Sequence, residues 1–264
     1  MLRLHILASG SRGNATIVEN DQTGHGVLVD CGICKRDFLA RCNEAHFNPA
    51  NIDAVLITHD HGDHTKGLGV VMRGLAKMGR QPLIYAADET VRASKAVQDA
   101  TSSCETRNFR PEECLTAAGI STFPFATSHD AAASFGFRFE ANGDAAGFMT
   151  DTGIVTPQAH AHLADVRLLA LESNHDPKML SEGPYPYVVK QRIASDKGHL
   201  SNEQAAEELA SLLSNRLQAV AAMHVSENNN EYDLALRGFR AVMEREGCAA
   251  RVSCGYQGRL STLA

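Results

Sequence analysis

The sequence predicts a layered α/β fold in which two mixed β-sheets pack face to face with helices outside. Short apolar runs of β character, each bounded by Gly, Asn or Asp, occur in both halves of the 264-residue chain, and amphipathic stretches alternate with them. The clusters rich in His, Asp, Ser and Asn fall where those runs end, so loops from many strands can converge on one sheet edge. A hydrophobic content of 44% is enough to bury a sizeable core, and one α/β domain over 1–264 is preferred to two closely packed halves.

In chain order, runs at 3–8, 15–19, 26–30 and 54–58 read as strands. Thr65 to Met78 reads as a helix with Leu68, Val71, Met72 and Leu75 on one face and Gly79 as its C-terminal stop. Strands follow at 83–86, 120–125, 134–140 and 145–150, and Asp88 to Gln98 has helical periodicity with Asp88 in the N-cap place. Val166 to Leu171 is the continuous apolar run of a buried strand. Ser201 to Leu213 is a helix opened by a Ser201/Gln204 capping box. Ala219 to Val225 and Arg251 to Tyr256 supply further strands around an amphipathic helix over about 231–246. Repeats, low-complexity tracts and linkers rich in Pro and Ser are absent.

A formal net charge of -6 argues against a generally basic, nucleic-acid-coating protein, but it does not choose the substrate of a cleft to which metal ions add positive charge. Seven scattered cysteines, an odd number, suit a reducing cytosol better than a disulfide framework, so a cytoplasmic location is expected. Cys31 and Cys34 form a C-x-x-C without the second pair that a four-thiolate zinc site needs; a redox role and plain small packing residues both stay open. The run Leu4 to Ala8 is too short for a signal-peptide core, and no segment approaches the roughly 18 apolar residues of a membrane helix.

The densest chemistry lies in Thr58-His59-Asp60-His61-Gly62-Asp63-His64, directly after the apolar Ala54-Val55-Leu56-Ile57. Imidazole and carboxylate donors suit zinc, manganese or iron, and two such ions about 3.5 to 4 Å apart form a hydrolytic site. The motif therefore predicts a dinuclear metal centre at a strand end.

These residues, in this order, resemble the metallo-β-lactamase superfamily, whose fold is a four-layer αββα sandwich with a dinuclear site on one edge. The strings SGSRGN at 9–14, DCG at 30–32, DTG at 151–153, ESNHD at 172–176, GHLSN at 198–202 and HVSENNN at 224–230 are similar to the YycJ/WalJ-type branch. That branch contains DNA exonucleases, so the resemblance implies a metal-dependent phosphodiesterase digesting DNA from the 5′ end. Carried over position by position, it implies that His59, His61 and His129 hold one ion, that Asp63, His64 and His224 hold the other, and that Asp151 bridges them. Zinc and manganese both fit these donors and iron is admitted. His199 competes with His224 for the last position, and the Met-His-Val-Ser setting at a strand end favours His224.

Two cations sharing a water would lower its pKa and present hydroxide to phosphorus, with Asp63 both binding metal and orienting that hydroxide. His199 is similar to the histidine that assists cleavage in the related tRNA 3′-processing nucleases, and Glu172 would orient it. Ser9, Ser11 and Asn14 are expected either to offer donors to a phosphate or to form an ordinary tight turn. Asn174, His175 and Asp176 are placed in the same pocket. Lys190, Arg192 and Lys197 stand open between contacts to a nucleic-acid backbone and a solvated charged face.

The stretch between Asp151 and His224 leaves no room for the inserted domain of the β-CASP nucleases. His61 occupies the place where flavodiiron oxygen reductases have glutamate, and His64 the place where the main lactamase group has arginine. The alternative to a nuclease is a small-molecule hydrolase, such as a thioesterase, lactonase or cyclic phosphodiesterase, since fold alone does not set the substrate. A non-catalytic binding protein is disfavoured by the intact ligand set. Oligomeric state is not legible.

Overall fold

A computed structural model describes residues 1–264. Two seven-stranded sheets face one another. The first contains β1 (Leu2–Ala8), β2 (Ala15–Asn20), β3 (His25–Val29), β4 (Ile52–Leu56), β5 (Leu83–Tyr85), β6 (Thr106–Arg107) and β14 (Ser261–Leu263), in the order β14-β1-β2-β3-β4-β5-β6. The second contains β7 (Leu115–Ala117), β8 (Ile120–Ala126), β9 (Phe135–Ala141), β10 (Asp144–Met149), β11 (Leu168–Glu172), β12 (Ala219–Met223) and β13 (Arg251–Cys254), in the order β13-β12-β11-β10-β9-β8-β7. The helices are α1 (Lys35–Glu44), α2 (Gly62–Thr65), α3 (Leu68–Lys77), α4 (Asp88–Ala93), α5 (Lys95–Thr101), α6 (Pro157–Leu163), α7 (Pro177–Glu182), α8 (Tyr187–Ile193), α9 (Asn202–Leu212) and α10 (Tyr232–Arg245).

Three apolar layers hold the sandwich together. A cluster of 26 buried residues, including Leu4, Val18, Leu56, Phe137, Phe139 and Ala221, fills the space between the sheets. A second packs α6, α9 and α10 on the outer face of the second sheet, and a third packs α1, α3 and α5 on the first. This is the αββα arrangement that the alternation of elements predicted. Each fully buried Leu or Phe contributes roughly 1.5 to 3 kcal/mol, so the inter-sheet layer is a large share of the stabilising energy.

Pairing directions explain where the polar loops go. β3, β4, β5 and β6 run parallel to one another, as do β10, β11, β12 and β13. β8 and β10 are each antiparallel to β9 and therefore share a direction. The loops after β8, β10, β11 and β12 consequently open on one edge of their sheet, where open α/β sheets place ligands.

Two helices differ from the sequence expectation. The helix expected over 65–78 is broken, because the Gly67 N–H bonds to the Cys31 carbonyl and draws the backbone out of line between α2 and α3. The helix expected over 88–98 is two short ones: Ser94 is extended and its hydroxyl caps α5 through Val97 N–H. Asp88 lies in the first turn of α4, and Ala87 takes the N-cap place. The Ser201/Gln204 capping box forms with both reciprocal bonds. No helix is long and apolar enough to cross a membrane.

The edge opposite the polar loops carries a buried ion pair. Asp144, at the start of β10, receives Nε and Nη2 of Arg167 at 2.9 and 2.7 Å, and Leu2 N–H at 2.7 Å. Burial opposes the ionised form of Asp144, but these donors hold its carboxyl below the usual range.

Candidate metal centre

The β4 strand delivers its loop into the gap between the sheets, where His59 and His64 are fully buried and His61 and Asp63 are half-buried. His61 is the N-cap residue of α2, so the short helix carries Asp63 and His64 back towards His59. From the other sheet come His129 after β8, Asp151 after β10 and His224 after β12. Donor atoms fall into groups within 4.8 Å of one another: His59, His61 and His129; Asp63, His64 and His224; His59, His64 and Asp151; and Asp151, Glu172, His199 and His224. Asp151 thus lies between two three-residue pockets, with Oδ2 3.3 Å from His64 Nε2 and Oδ1 3.6 Å from His224 Nε2.

The outer nitrogens of these imidazoles are already occupied. His64 Nδ1 donates to Asp30 Oδ2 at 2.7 Å, His59 Nδ1 donates to the Thr58 hydroxyl at 2.9 Å, and His129 Nδ1 donates to the Gly198 carbonyl at 3.0 Å. Each bond fixes the tautomer that leaves Nε2 as a lone-pair donor facing the centre. His59 Nε2 and Asp151 Oδ2 are buried with no hydrogen-bond partner, a costly condition that a divalent cation relieves. The donor set therefore fits one or more divalent ions.

The electrostatics point the same way. Burial pushes the imidazoles of His59 and His129 down, towards the neutral form that binds metal. For Asp63, burial alone would raise the carboxyl, but hydrogen bonds from His224 and His64 bring it well below the ordinary range. Burial likewise opposes the charged forms of His64 and His224, yet the surrounding acids together outweigh it: Asp151 with Asp30 and Asp63 raises His64, and Asp151 with Asp63 and Glu172 lifts His224 to about 9. The carboxylates draw positive charge into the pocket.

Glu172 ties the second sheet's loops together. Fully buried at the end of β11, it accepts the N–H groups of Asp151, Thr152 and Leu200 at 3.0, 3.1 and 3.0 Å, and His199 Nδ1 lies 2.8 Å from its Oε1. The His199 ring stacks on His224, with centroids 5.2 Å apart, and its side chain keeps 18% of its exposure. His199 thus sits nearer the rim of the centre than His224, whose side chain is 4% exposed.

The residues expected to touch substrate are mostly inside. Ser9 is fully buried and its hydroxyl accepts the His224 N–H at 2.7 Å. Asn14 is buried, accepting Gly10 N–H and placing Nδ2 3.0 Å from His64 Nε2. Asn174 donates to the His224 carbonyl at 2.8 Å. His175 is buried, and burial pushes its imidazole down to about 4. All four are buried, and Ser9, Asn14 and Asn174 bond within the loops that carry the His and Asp cluster; of the residues expected to touch substrate, only Ser11 is exposed. Asp176 caps α7 through Met179 N–H. Lys190 donates to the Ser181 carbonyl and Arg192 pairs with Asp130, while Lys197 is exposed.

Two contributors escaped the sequence reading. Asp30, in the DCG string, holds His64 directly and receives both N–H and hydroxyl of Thr58, whose oxygen in turn holds His59, so one carboxylate serves both pockets. Gly32 is the second: a Cβ there would lie 1.6 Å from the Asp63 carbonyl, so only glycine lets the loops meet. Their cue was the spacing of DCG at the end of a strand parallel to β4. Asp30, Asp151 and His224 also share left-handed backbone, at φ 58°, 57° and 52°, which costs energy for residues with a side chain.

Fold and site together define a metal-dependent hydrolase, and the chain belongs to the metallo-β-lactamase superfamily: its residues 25–224 match the β-lactamase superfamily domain. Within that superfamily it is 33% identical over 246 residues to the exodeoxyribonuclease YycJ of Bacillus anthracis, covering 93% of this chain and 90% of that protein. It is 36% identical over 233 residues to the exodeoxyribonuclease WalJ of Streptococcus pneumoniae, covering 87% and 84%. The solved structure of YhfI from Bacillus subtilis, a metallo-β-lactamase fold protein, superposes with a TM-score of 0.73 at 16% identity over 99% of both chains.

Proposed function

We propose that this chain is a dinuclear metal-dependent phosphodiesterase that digests DNA from its 5′ end. The observation that carries the reading is the conjunction of two complete donor triads around Asp151 with 33% and 36% identity to proteins named as exodeoxyribonucleases over most of the chain. His59, His61 and His129 would hold one ion, Asp63, His64 and His224 the other, with Asp151 shared; zinc or manganese suits these donors. Bound there, two such ions supply a water of lowered pKa and screen charge on the phosphate oxygens.

The remaining steps belong to side chains. Asp63, with 22% of its side chain exposed, borders the opening and accepts a hydrogen bond from the attacking water, aiming it at phosphorus. His199 keeps its Nδ1–H in the hydrogen bond with Glu172, so it acts as an imidazolium whose second proton, on Nε2, passes to the leaving 3′ oxygen and leaves the ring neutral. Ser11 is the member of the 9–14 turn placed to meet a phosphate. The chain works as one domain, and its seven unpaired cysteines suit the cytoplasm.

The test is to incubate protein loaded with Mn²⁺ or Zn²⁺ with 5′-phosphorylated duplex DNA, single-stranded DNA, RNA and a thioester panel. Release of nucleotides from the 5′ end of DNA is expected. Thioester turnover with all nucleic acid left intact would overturn the reading.

A further inference from the structure

We propose that the arm from Gly183 to Lys197, which contains α8, is a platform for the DNA strand, with Tyr187 stacking on a base and Lys197 meeting the backbone. This rests on the nuclease reading. The arm has no core-building role, since α8 buries none of its residues. Polar ties hold it instead. The Tyr185 hydroxyl accepts Asn228 Nδ2 at 2.7 Å, Arg192 pairs with Asp130, and the His199 N–H bonds to the Ile193 carbonyl at 2.9 Å. Asn228 follows His224 in the chain and Asp130 follows His129, so the arm is anchored to both sides of the metal centre and runs directly into His199.

Tyr187 and Val188 stand side by side at the outer end of α8, 74% and 76% exposed, more than any other large hydrophobic residue. Ile154, three residues after Asp151, is also exposed. A solvated aromatic on an arm tied to the loops of the metal centre is the kind of element on which strand-binding proteins stack bases, irrespective of sequence. Pro184 and Pro186 restrict the backbone leading to it, so little freedom is lost on binding. Helix geometry puts Tyr187 about 9 Å along the axis from Ile193, whose carbonyl accepts the His199 N–H.

Charge favours a polyanion over a second copy of the chain. Within the arm the sequence carries Lys190, Arg192 and Lys197 against Asp196, and with Arg192 paired to Asp130 one positive charge is left over, in a chain whose net charge is -6. Two exposed side chains on so short a helix also fall far below the roughly 800 Å² per partner of a stable interface.

The experiment compares metal-loaded wild type, Tyr187→Ala and Tyr187→Phe on a 5′-phosphorylated single-stranded oligonucleotide and on bis(4-nitrophenyl) phosphate, which has no base. The alanine variant should raise KM for the oligonucleotide roughly tenfold, leave bis(4-nitrophenyl) phosphate turnover unchanged, and be rescued by phenylalanine. An abasic residue at the stacked position should bring wild type to the level of Tyr187→Ala. Unchanged KM in Tyr187→Ala, with DNA cleaved normally, overturns the platform and leaves the nuclease reading standing. Wild type that hydrolyses bis(4-nitrophenyl) phosphate and spares every oligonucleotide removes both. Unchanged KM together with a wild-type dimer that Tyr187→Ala converts to monomer in sedimentation overturns the platform in favour of a second copy.

Discussion

Strand β10 carries a buried aspartate beyond or at each end, about 20 Å apart at the usual rise of a strand, and the protein treats the two oppositely. Asp144 has its lone pairs filled by Arg167, Leu2 N–H and Ala145 N–H, in ordinary backbone geometry. Asp151 has a buried oxygen with no hydrogen-bond partner, left-handed backbone and a ring of histidines. Both are ionised acids in the interior. The first closes the fold, whereas the second keeps coordination capacity in reserve at the edge where the loops meet.

That contrast can be broken by substitution. Asp151→Ala should abolish ion binding at the bridging position and lower activity by about a thousandfold or more, measured by metal analysis and single-turnover kinetics. Added Mn²⁺ should raise the melting temperature of wild type and not of this variant, since only the intact site gains from ligand binding. His199→Ala should retain its metal and lose roughly a hundredfold in rate. If that variant instead lacked one ion, His199 would be a ligand and His224 would be displaced from the set. Glu172→Gln should fall in between, at about ten- to a hundredfold, because the carboxylate acts through the groups it holds.

Asp144→Asn should do the reverse: leave the rate unchanged and cost about 3 kcal/mol of unfolding free energy in urea, by stranding the buried Arg167 charge. The smallest effect is its pH signature. The folded-state pKa of Asp144 is depressed, so its stabilisation is complete above the unfolded value of about 3.9 and is lost as pH falls through the lower folded value. Wild type should therefore lose its advantage over Asp144→Asn only in acid. A difference that persisted unchanged at low pH would mean that packing, not charge, holds that edge.

The two sheets also differ in how openly the sequence shows their part of the site. The first sheet supplies His59, His61, Asp63 and His64 from a single loop, and a contiguous motif is visible in one dimension. The second supplies His129, Asp151, Glu172, His199 and His224 from separate strand ends and loops, which only the pairing of the strands brings together. The broken helix at 65–68 and the split at Ser94 were hidden for a related reason: each follows from a contact or cap that periodicity does not register. The burial of Ser9, Asn14 and Asn174 was likewise unreadable, because polar side chains beside a metal motif look the same whether they face the substrate or brace the ligands from behind.

The close approach of Gly32 to the Asp63 loop, with Asn14 N–H bonded to the Asp63 carbonyl at 2.8 Å and Cys31 N–H to the His64 carbonyl at 2.8 Å, has a consequence for how ions are exchanged. These clasps are made by main chain alone, so the cup keeps its shape whichever cation enters or leaves it. The fold is then expected to form without the ion, which adds stability once bound, in contrast to small zinc modules that collapse without theirs. Removing the metal should therefore leave the loops in place, and hydrogen exchange of amides 30–32 and 63–64 should stay slow in the metal-free protein.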